Sequence, residues 1–499
     1  SMSKSKRPRY VWPLSETMRK VIQPLPGKWL SFSGRRQTNE TASVSLTLMS
    51  NGSLTSMKQM KRWQEPIYAI GGFGPGFLYQ FSLVYLLLYY MPALKLIEKG
   101  ALVLAPAAGF AAATLIARVL DGIVDIPIAT WTDNMKSRWG RRRPLMVLGY
   151  IPMVVCFVLL WYPPVTGSVL GAEGHWGNAL YVALMSSAFF FSYTLVTVPY
   201  LAALSEIVPD EKSRVRVASW QTAFNTAGFA LVFVGAPILF ESFGIRGTVW
   251  LLLPIALSFI GPILVIKEES TQADQTTSQP SSDHQDVPLW QSLKLSLNNQ
   301  TFRIYLVSFA IFFFGLQFFL GGIAFMALDM MDLSESQLGM MNAAVFAPVP
   351  IMLLLFNFVA RRKGAKWGFQ VALLIFAAAM LLYPLAWTRF DFPIPPMAIG
   401  IILGLICSFS VGVFFTIPYA FPAHIAAVEA EETGKNRAGM YFAVQGLVNQ
   451  GMGSLAAAML AFLLTWEYGY VAIGPITGVL CIIACILFAP YPLGQPSQK

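Results

Sequence analysis

Twelve apolar segments of about 20 residues or more run through this 499-residue chain, and they constrain its fold more than any other feature. About 20 apolar residues in a helix cross the hydrocarbon core of a bilayer, where the backbone can pair its polar groups only as a helix or a closed barrel. The segments therefore predict an all-α membrane protein with twelve transmembrane helices, here called spans 1 to 12. We place the spans at 67–91, 101–131, 144–162, 178–206, 214–240, 247–266, 303–327, 336–359, 367–388, 396–424, 437–464 and 468–490.

The composition excludes a soluble enzyme. Only 12% of the residues are charged and 56% are hydrophobic, with a mean hydropathy of +0.58. Soluble domains carry about 25% charged residues. The sequence offers no Ser/His/Asp or Cys/His arrangement for catalysis, and its four cysteines all lie in apolar stretches. We therefore predict no enzyme activity, no cofactor and no disulfide framework.

The positive charge is concentrated in the first 65 residues. They hold twelve Lys or Arg and three acids, which accounts for +9 of the formal net charge of +10. We interpret residues 1–65 as a largely disordered cytoplasmic tail that contacts anionic membrane lipids, not nucleic acid. A basic, Ser-rich start also fits an organellar transit peptide, so an organelle remains an alternative to the plasma or bacterial inner membrane.

The loops predict the topology. Basic residues cluster in loops 2–3, 4–5 and 8–9, which lie in the cytoplasm if the N-terminus does. An even number of spans then places the C-terminus there too. A polar, acidic stretch at 267–300 predicts a cytoplasmic linker between two six-span halves, 66–266 and 301–490, with a short tail at 491–499.

An internal repeat supports the two halves. Residues 138–140 are echoed at 366–368, Pro199-Tyr200 at 418–419, and Gln221 with Asn225 at 445 and 449. Their offsets of 219 to 228 residues indicate a duplicated chain. Two such halves are the architecture of the major facilitator superfamily, in which the solute site lies between them. We expect a monomer that works by alternating access.

Span 2 carries three charged residues on one helical face: Arg118, Asp121 and Asp125. Each ionised group at the bilayer centre costs roughly 3 kcal/mol or more unless it is paired or wet. Two acids against one base leave an excess negative charge, which predicts a cation site with Arg118 as the charge partner. The alternative is an internal salt bridge with a purely structural role.

The sequence resembles the glycoside–pentoside–hexuronide:cation symporter family, which includes the melibiose permease. The resemblance covers roughly 65–490 and rests on R-x-x-D-x-x-x-D-x-P from Arg118, on the run 138–144, and on Pro199-Tyr200. It implies that Asp121 and Asp125 bind the coupling cation and that Thr194 is a hydroxyl ligand. Thr197 stands where the melibiose permease has a third carboxylate, which leaves Na⁺ and H⁺ both open as the coupling ion. No other metal is expected.

The solute site departs from that relative. Its Lys-Asp pair in span 1 aligns with Pro75-Gly76, and two of its basic residues align with neutral Gln221 and Gln450. Amides and aromatic rings still suit sugars, so we predict a small solute bound among these candidates: Tyr79, Trp131, Trp220, Gln221, Asn225, Tyr441, Gln445 and Gln450.

Three functions follow from these residues. The first is a cation-coupled symporter of a sugar or glycoside. The second is a transporter of an amphipathic, lysolipid-like solute, since the family has a lysolipid branch. The third is a receptor or scaffold that does not transport. For a transporter, we expect the inner gate to involve the charged residues of loop 2–3: Asp133, Arg138, Arg141 and Arg142.

Overall fold

The computed structural model describes residues 60–492 except 136, 140–141, 172, 208–210, 267–296, 391 and 434–437. Predictions for the tail at 1–65 and the linker at 267–300 therefore lie almost entirely outside the described residues. Within the described part, the chain is helical, apart from one isolated bridge between Gly171 and Gly174. The structure is thus all-α, as the sequence predicts.

The first half consists of spans 1 to 6. Span 1 is Phe73–Tyr90, preceded by a short helix at Glu65–Ala69. Spans 2, 3 and 4 are Ala107–Asn134, Arg143–Leu159 and Trp176–Ile207. Spans 5 and 6 form the continuous stretch Glu211–Ala230, Leu231–Gly235, Ala236–Leu252, Leu253–Phe259 and Ile260–Val265. Gly244 divides this stretch into two helices, because its φ of 63° is incompatible with a helix.

The second half consists of spans 7 to 12. Span 7 is Gln300–Phe325 with a π-helical end, Met326–Met330, and span 8 is Glu335–Phe346 followed by Val349–Lys363. The remaining spans are Ala365–Leu382, Pro396–Thr433, Ala438–Leu463 and Gly469–Phe488.

These helices occupy the positions of the twelve predicted spans. Ten helical stretches are long and apolar enough to cross a membrane, and one of them, Arg216–Val265, contains both spans 5 and 6. Span 3, Arg143–Leu159, is a shorter apolar helix. The described chain is therefore a multi-pass integral membrane protein.

The sequence repeat has a counterpart in the hydrogen bonds. In the first half, the Gln221 amide of span 5 donates to the Tyr200 hydroxyl of span 4 at 3.0 Å. In the second half, the Gln445 amide of span 11 donates to the Pro418 carbonyl of span 10, also at 3.0 Å. In each half, the repeated Gln of one span thus donates a hydrogen bond to the repeated Pro-Tyr dipeptide of the preceding span.

Two glycines allow the halves to approach closely. A Cβ on Gly122 of span 2 would lie 2.7 Å from the Gln450 side chain of span 11. A Cβ on Gly339 of span 8 would lie 2.7 Å from the Val234 carbonyl of span 5. Small residues at such positions let helix backbones pack tightly in membranes. Close contacts between the halves therefore include those of span 2 with span 11 and of span 5 with span 8.

Candidate functional site

On the charged face of span 2, Arg118 and Asp121 are buried and Asp125 is half-buried. Arg118 is 6% exposed and Asp121 is 3% exposed. The Arg118 Nη1 lies 3.2 Å from Asp121 Oδ2 and donates to the Tyr79 hydroxyl of span 1 at 2.9 Å. The guanidinium also lies 4.2 Å from the centre of the Phe190 ring of span 4. Arg118 is thus fixed by a carboxylate, a hydroxyl and an aromatic face.

Thr194 of span 4 joins the two acids. Its Oγ1 lies 3.1 Å from Asp121 Oδ1 and 3.2 Å from Asp125 Oδ1. A hydroxyl has one proton, so it can donate to only one carboxylate at a time. The three side chains therefore bring several oxygen atoms of the kind that bind Na⁺, or that hold a proton, to one buried point.

The second half reaches this cluster through Gln450 of span 11. Its Nε2 donates to Asp125 Oδ2 at 3.1 Å, while its Oε1 has no hydrogen-bond partner among the described residues. Asp125 is thus held between Thr194 of one half and Gln450 of the other. We call Arg118, Asp121, Asp125, Thr194 and Gln450 the span 2 cluster.

Thr197 occupies a different position from Thr194. Its hydroxyl donates to the Tyr193 carbonyl one turn earlier in span 4, at 2.9 Å, and no hydrogen bond joins it to either acid in the described structure. The structure therefore brings together four of the five residues predicted for the cation: Arg118, Asp121, Asp125 and Thr194.

The eight solute candidates do not form a single group. Gln450 belongs to the span 2 cluster, and Tyr79 contacts it through Arg118. Gln221 is bonded to Tyr200, and Asn225 is exposed. Trp131 and Trp220 are each 46% exposed.

Tyr441 and Gln445, in contrast, lie in the packed interior of the second half. The Tyr441 hydroxyl donates to Glu429 at 2.8 Å and accepts from Asn299 at 3.1 Å. Gln445 is bonded to Tyr305 and Pro418. Neither side chain therefore has a free polar group directed into a cavity, because each is occupied by its neighbours in the fold.

Of the predicted inner gate, Arg142 is 5% exposed at the start of span 3, and Arg138 is exposed in a turn. Arg141 lies outside the described residues, and of Asp133 only the backbone, at the end of span 2, is described. The inner gate therefore stays a prediction.

A cavity with about 790 Å³ of empty space, counting space continuous with solvent, adjoins the span 2 cluster. Arg118 lines it, together with polar residues of spans 1, 4, 7 and 11 that the solute candidates do not include: Gln80, Ser82, Ser186, Gln317 and Ser454. Their only sequence signal is the isolation of single polar residues within apolar spans.

The end of the protein opposite loops 2–3 and 8–9 is closed by bonds between the halves. The Lys95 ammonium of loop 1–2 lies 2.6 Å from the Asp332 carboxylate of loop 7–8 and donates to the Asp332 and Leu333 carbonyls. Asp329 accepts from the backbone N–H groups of Leu94 and Lys95, both at 3.0 Å. We call these contacts the loop 1–2 latch.

Toward the opposite side, spans 5 and 10 still touch through Phe229 and Phe415, whose ring centres are 5.1 Å apart. One turn further along span 10, Tyr419 is 71% exposed.

The chain matches the family described as MFS/sugar transport protein over residues 67–489. An uncharacterized symporter of Synechocystis sp. is 22% identical over 486 residues, which cover 81% of this chain and 85% of that protein. A putative glycoside/cation symporter, YagG of Escherichia coli, is 28% identical over 173 residues, which cover 34% of each protein.

Solved structures share the fold. The nucleoside transporter NupG superposes with a TM-score of 0.58 at 12% identity, covering 85% of this chain and 97% of that one. A POT family transporter in complex with 5-aminolevulinic acid superposes with a TM-score of 0.58 at 13% identity. The superposition covers 86% of this chain and 97% of that one.

These proteins are transporters, and at such identities the structural likeness shows the fold alone. The family match extends over nearly all the described spans, and several relatives are named symporters. The chain therefore belongs to the MFS/sugar transport protein family, and its predicted place among the glycoside–cation symporters of the major facilitator superfamily is confirmed.

Proposed function

We propose that this protein is a symporter that couples the movement of a sugar or glycoside to Na⁺ or H⁺ by alternating access. The observation that supports this most strongly is the position of Asp125, which is bonded to Thr194 of one half and to Gln450 of the other. A cation that neutralises Asp125 would change the contact between Asp125 and Gln450, and so a contact between the two halves that must move.

In this proposal, Asp121 and Asp125 bind the cation and Thr194 adds a hydroxyl oxygen. Arg118 balances one of the two carboxylates, so the empty cluster keeps a single negative charge. A bound cation removes this charge, and the Gln450 amide can then turn its unpartnered Oε1 toward the ion. The role of Gln450 is to transmit occupancy to the second half.

The cavity beside Arg118 is where we propose that the solute binds. Arg118 belongs to both places, since it lines the cavity and pairs with Asp121. Cation binding at Asp121 therefore changes the surroundings of the solute, and by thermodynamic linkage the solute changes the affinity for the cation by the same factor. When the transporter switches to its other conformation, the loop 1–2 latch would open. The side that carries the basic loops would then close, with loop 2–3 contributing the inner gate.

The proposal is tested by uptake of labelled mono- and disaccharides into proteoliposomes with an inward Na⁺ gradient, an inward H⁺ gradient or neither. We expect one gradient to drive accumulation of at least one sugar. Equal uptake under all three conditions would contradict the coupling, and binding without flux would instead indicate a receptor.

An amphipathic solute is the second candidate, because most residues that line the cavity are apolar, among them Leu83, Leu87, Phe110 and Leu320. The same vesicles distinguish the two solutes. If no sugar is taken up by demonstrably folded protein but a labelled lysolipid moves between leaflets in a gradient-dependent way, the second candidate replaces the first.

A further inference from the structure

We infer that the cavity beside Arg118 is a subsite for an uncharged, hydroxylated solute, held mainly by Gln80 of span 1 and Gln317 of span 7. The inference rests on the proposed function, because it assumes that the cavity binds the transported solute. It adds the chemical class of that solute and two residues that determine specificity, neither of which is among the candidates predicted from the sequence.

The first support is a set of polar groups that have no partner within the protein. No hydrogen bond joins Gln80 or Gln317 to another described residue, although both line the cavity. The hydroxyls of Ser82 and Ser186 are also unpaired, and these residues are only 3% and 1% exposed. The two half-buried amides are therefore open to a ligand or water in the cavity, and the two buried hydroxyls lack the partner that buried polar groups almost always have.

Other hydroxyls that line the same cavity do have hydrogen-bond partners, so unpaired hydroxyls are not a general property of these helices. Thr114 donates to the Phe110 and Ala111 carbonyls of its own helix, and Ser454 donates to the Gln450 carbonyl. Serine in a helix commonly satisfies itself in this way. Ser82 and Ser186 do not, so these two hydroxyls stay unpaired beside the cavity.

The second support is the charge of the cavity. Arg118 is the one charged side chain among the described residues that line it, and its positive charge is paired with Asp121 through Nη1, which also donates to Tyr79. A solute with a carboxylate, phosphate or ammonium group would lose its water here without meeting a free counter-charge, which is strongly unfavourable. Amide and hydroxyl groups, in contrast, match the alternating donors and acceptors of sugar hydroxyls.

The third support is the position of the two amides. They come from opposite halves, and Gln317 reaches into space left by Gly453 of span 11, whose Cβ would lie 3.5 Å from the Gln317 Nε2. Phe110 and Phe190 lie on the same walls and offer apolar surface for one face of a ring. A solute bonded to both amides therefore bridges the halves at the level of the span 2 cluster.

The test is equilibrium binding to the full chain in lipid nanodiscs, with pairs of nitrophenyl glycosides that differ only at carbon 6. Each pair contains a neutral glycoside and the matching uronide, for example a glucoside with a glucuronide and a galactoside with a galacturonide. We expect the neutral member of at least one pair to bind at least about tenfold more tightly. Gln80→Leu and Gln317→Leu should each weaken that binding by about tenfold or more.

Gln370→Leu is the matched control, because it makes the same change in span 9, away from the residues that line the cavity. Gly453→Leu should also abolish binding by filling the cavity, whereas Gly451→Leu should not, since none of the described residues packs within 4 Å of a Cβ at Gly451. Thermal unfolding of each variant shows whether it is folded.

Tighter binding of the uronide, or unchanged binding in both folded glutamine variants, would overturn this inference while gradient-driven uptake still supported the symporter. The absence of binding by every glycoside to folded parent protein would overturn it as well. Failure of the symporter proposal alone would appear as neutral-glycoside binding that depends on Gln80 and Gln317 but is accompanied by no gradient-driven accumulation.

Discussion

Asp125 of span 2 accepts a hydrogen bond of 3.1 Å from Gln450 of span 11, across the interface between the two halves and 325 residues away in the sequence. Its other carboxylate oxygen faces Thr194 of the first half at 3.2 Å. One carboxylate therefore contacts both of the halves that move relative to each other in the proposed mechanism.

Replacement of Asp125 by Asn should abolish cation-driven accumulation and leave downhill solute exchange at least partly intact. The amide keeps the shape of the carboxylate but removes the negative charge that attracts the ion. Accumulation under a gradient and counterflow without one, both in proteoliposomes, measure the two activities. Glu173→Gln, an exposed acid in loop 3–4, serves as the control, and equal accumulation by D125N and the parent would rule out Asp125 as a cation ligand.

Replacement of Gln450 by Leu should uncouple the solute from the cation. Coupling free energies between linked sites are typically about 1–3 kcal/mol, or 5- to 150-fold in affinity. In the parent, the saturating cation should raise solute affinity by a factor in this range, and in Q450L by less than about twofold. The measurement is solute binding with and without the cation, and a parent-like ratio in Q450L would show that Gln450 only fills space.

Replacement of Lys95 by Met should weaken the loop 1–2 latch and shift the protein toward a state open at that end. Lys95 makes three bonds to loop 7–8, whereas Lys99, which is 53% exposed, makes a single contact of 3.3 Å with Glu335. Exposed ion pairs contribute about 0–1 kcal/mol, so K99M should have little effect.

Spin labels at Leu102 and Phe390, which are exposed and belong to different halves, allow the distance across this end to be measured. With the four native cysteines replaced by alanine, we expect a longer distance to gain population in K95M and not in K99M. An identical distance distribution in both variants would mean that the latch does not hold the halves together.

Replacement of Gly339 by Ala should destabilise the protein by about 1–3 kcal/mol, because the new methyl group meets the Val234 carbonyl and the backbone cannot easily move. Gly122→Ala should cost less, since the atoms it meets belong to the flexible Gln450 and Leu447 side chains. Gly451→Ala has open space and should be neutral or slightly stabilising. The order of the thermal unfolding midpoints checks this prediction, and a G339A midpoint equal to that of G451A would contradict it.

Helical spacing located Arg118, Asp121 and Asp125, the resemblance to a known family added Thr194, and the structure brings these four side chains together. Neither the spacing nor the resemblance located the cavity, because a single Gln within an apolar span looks the same whether it faces a neighbouring helix or an empty space. Tyr441 and Gln445 show the converse, since their neighbours in the second half already occupy their polar groups.

The number and order of the spans follow from the sequence because a bilayer leaves the backbone few ways to pair its polar groups. The shared face of Arg118, Asp121 and Asp125 follows as well, because helical periodicity is local. The approach of Gln450 to Asp125, the empty space between Gln80 and Gln317, and the closure at Lys95 depend on how distant helices pack. This packing depends on how the side chains of residues hundreds of positions apart in the sequence fit together. No local pattern in the sequence shows which of these side chains will be in contact.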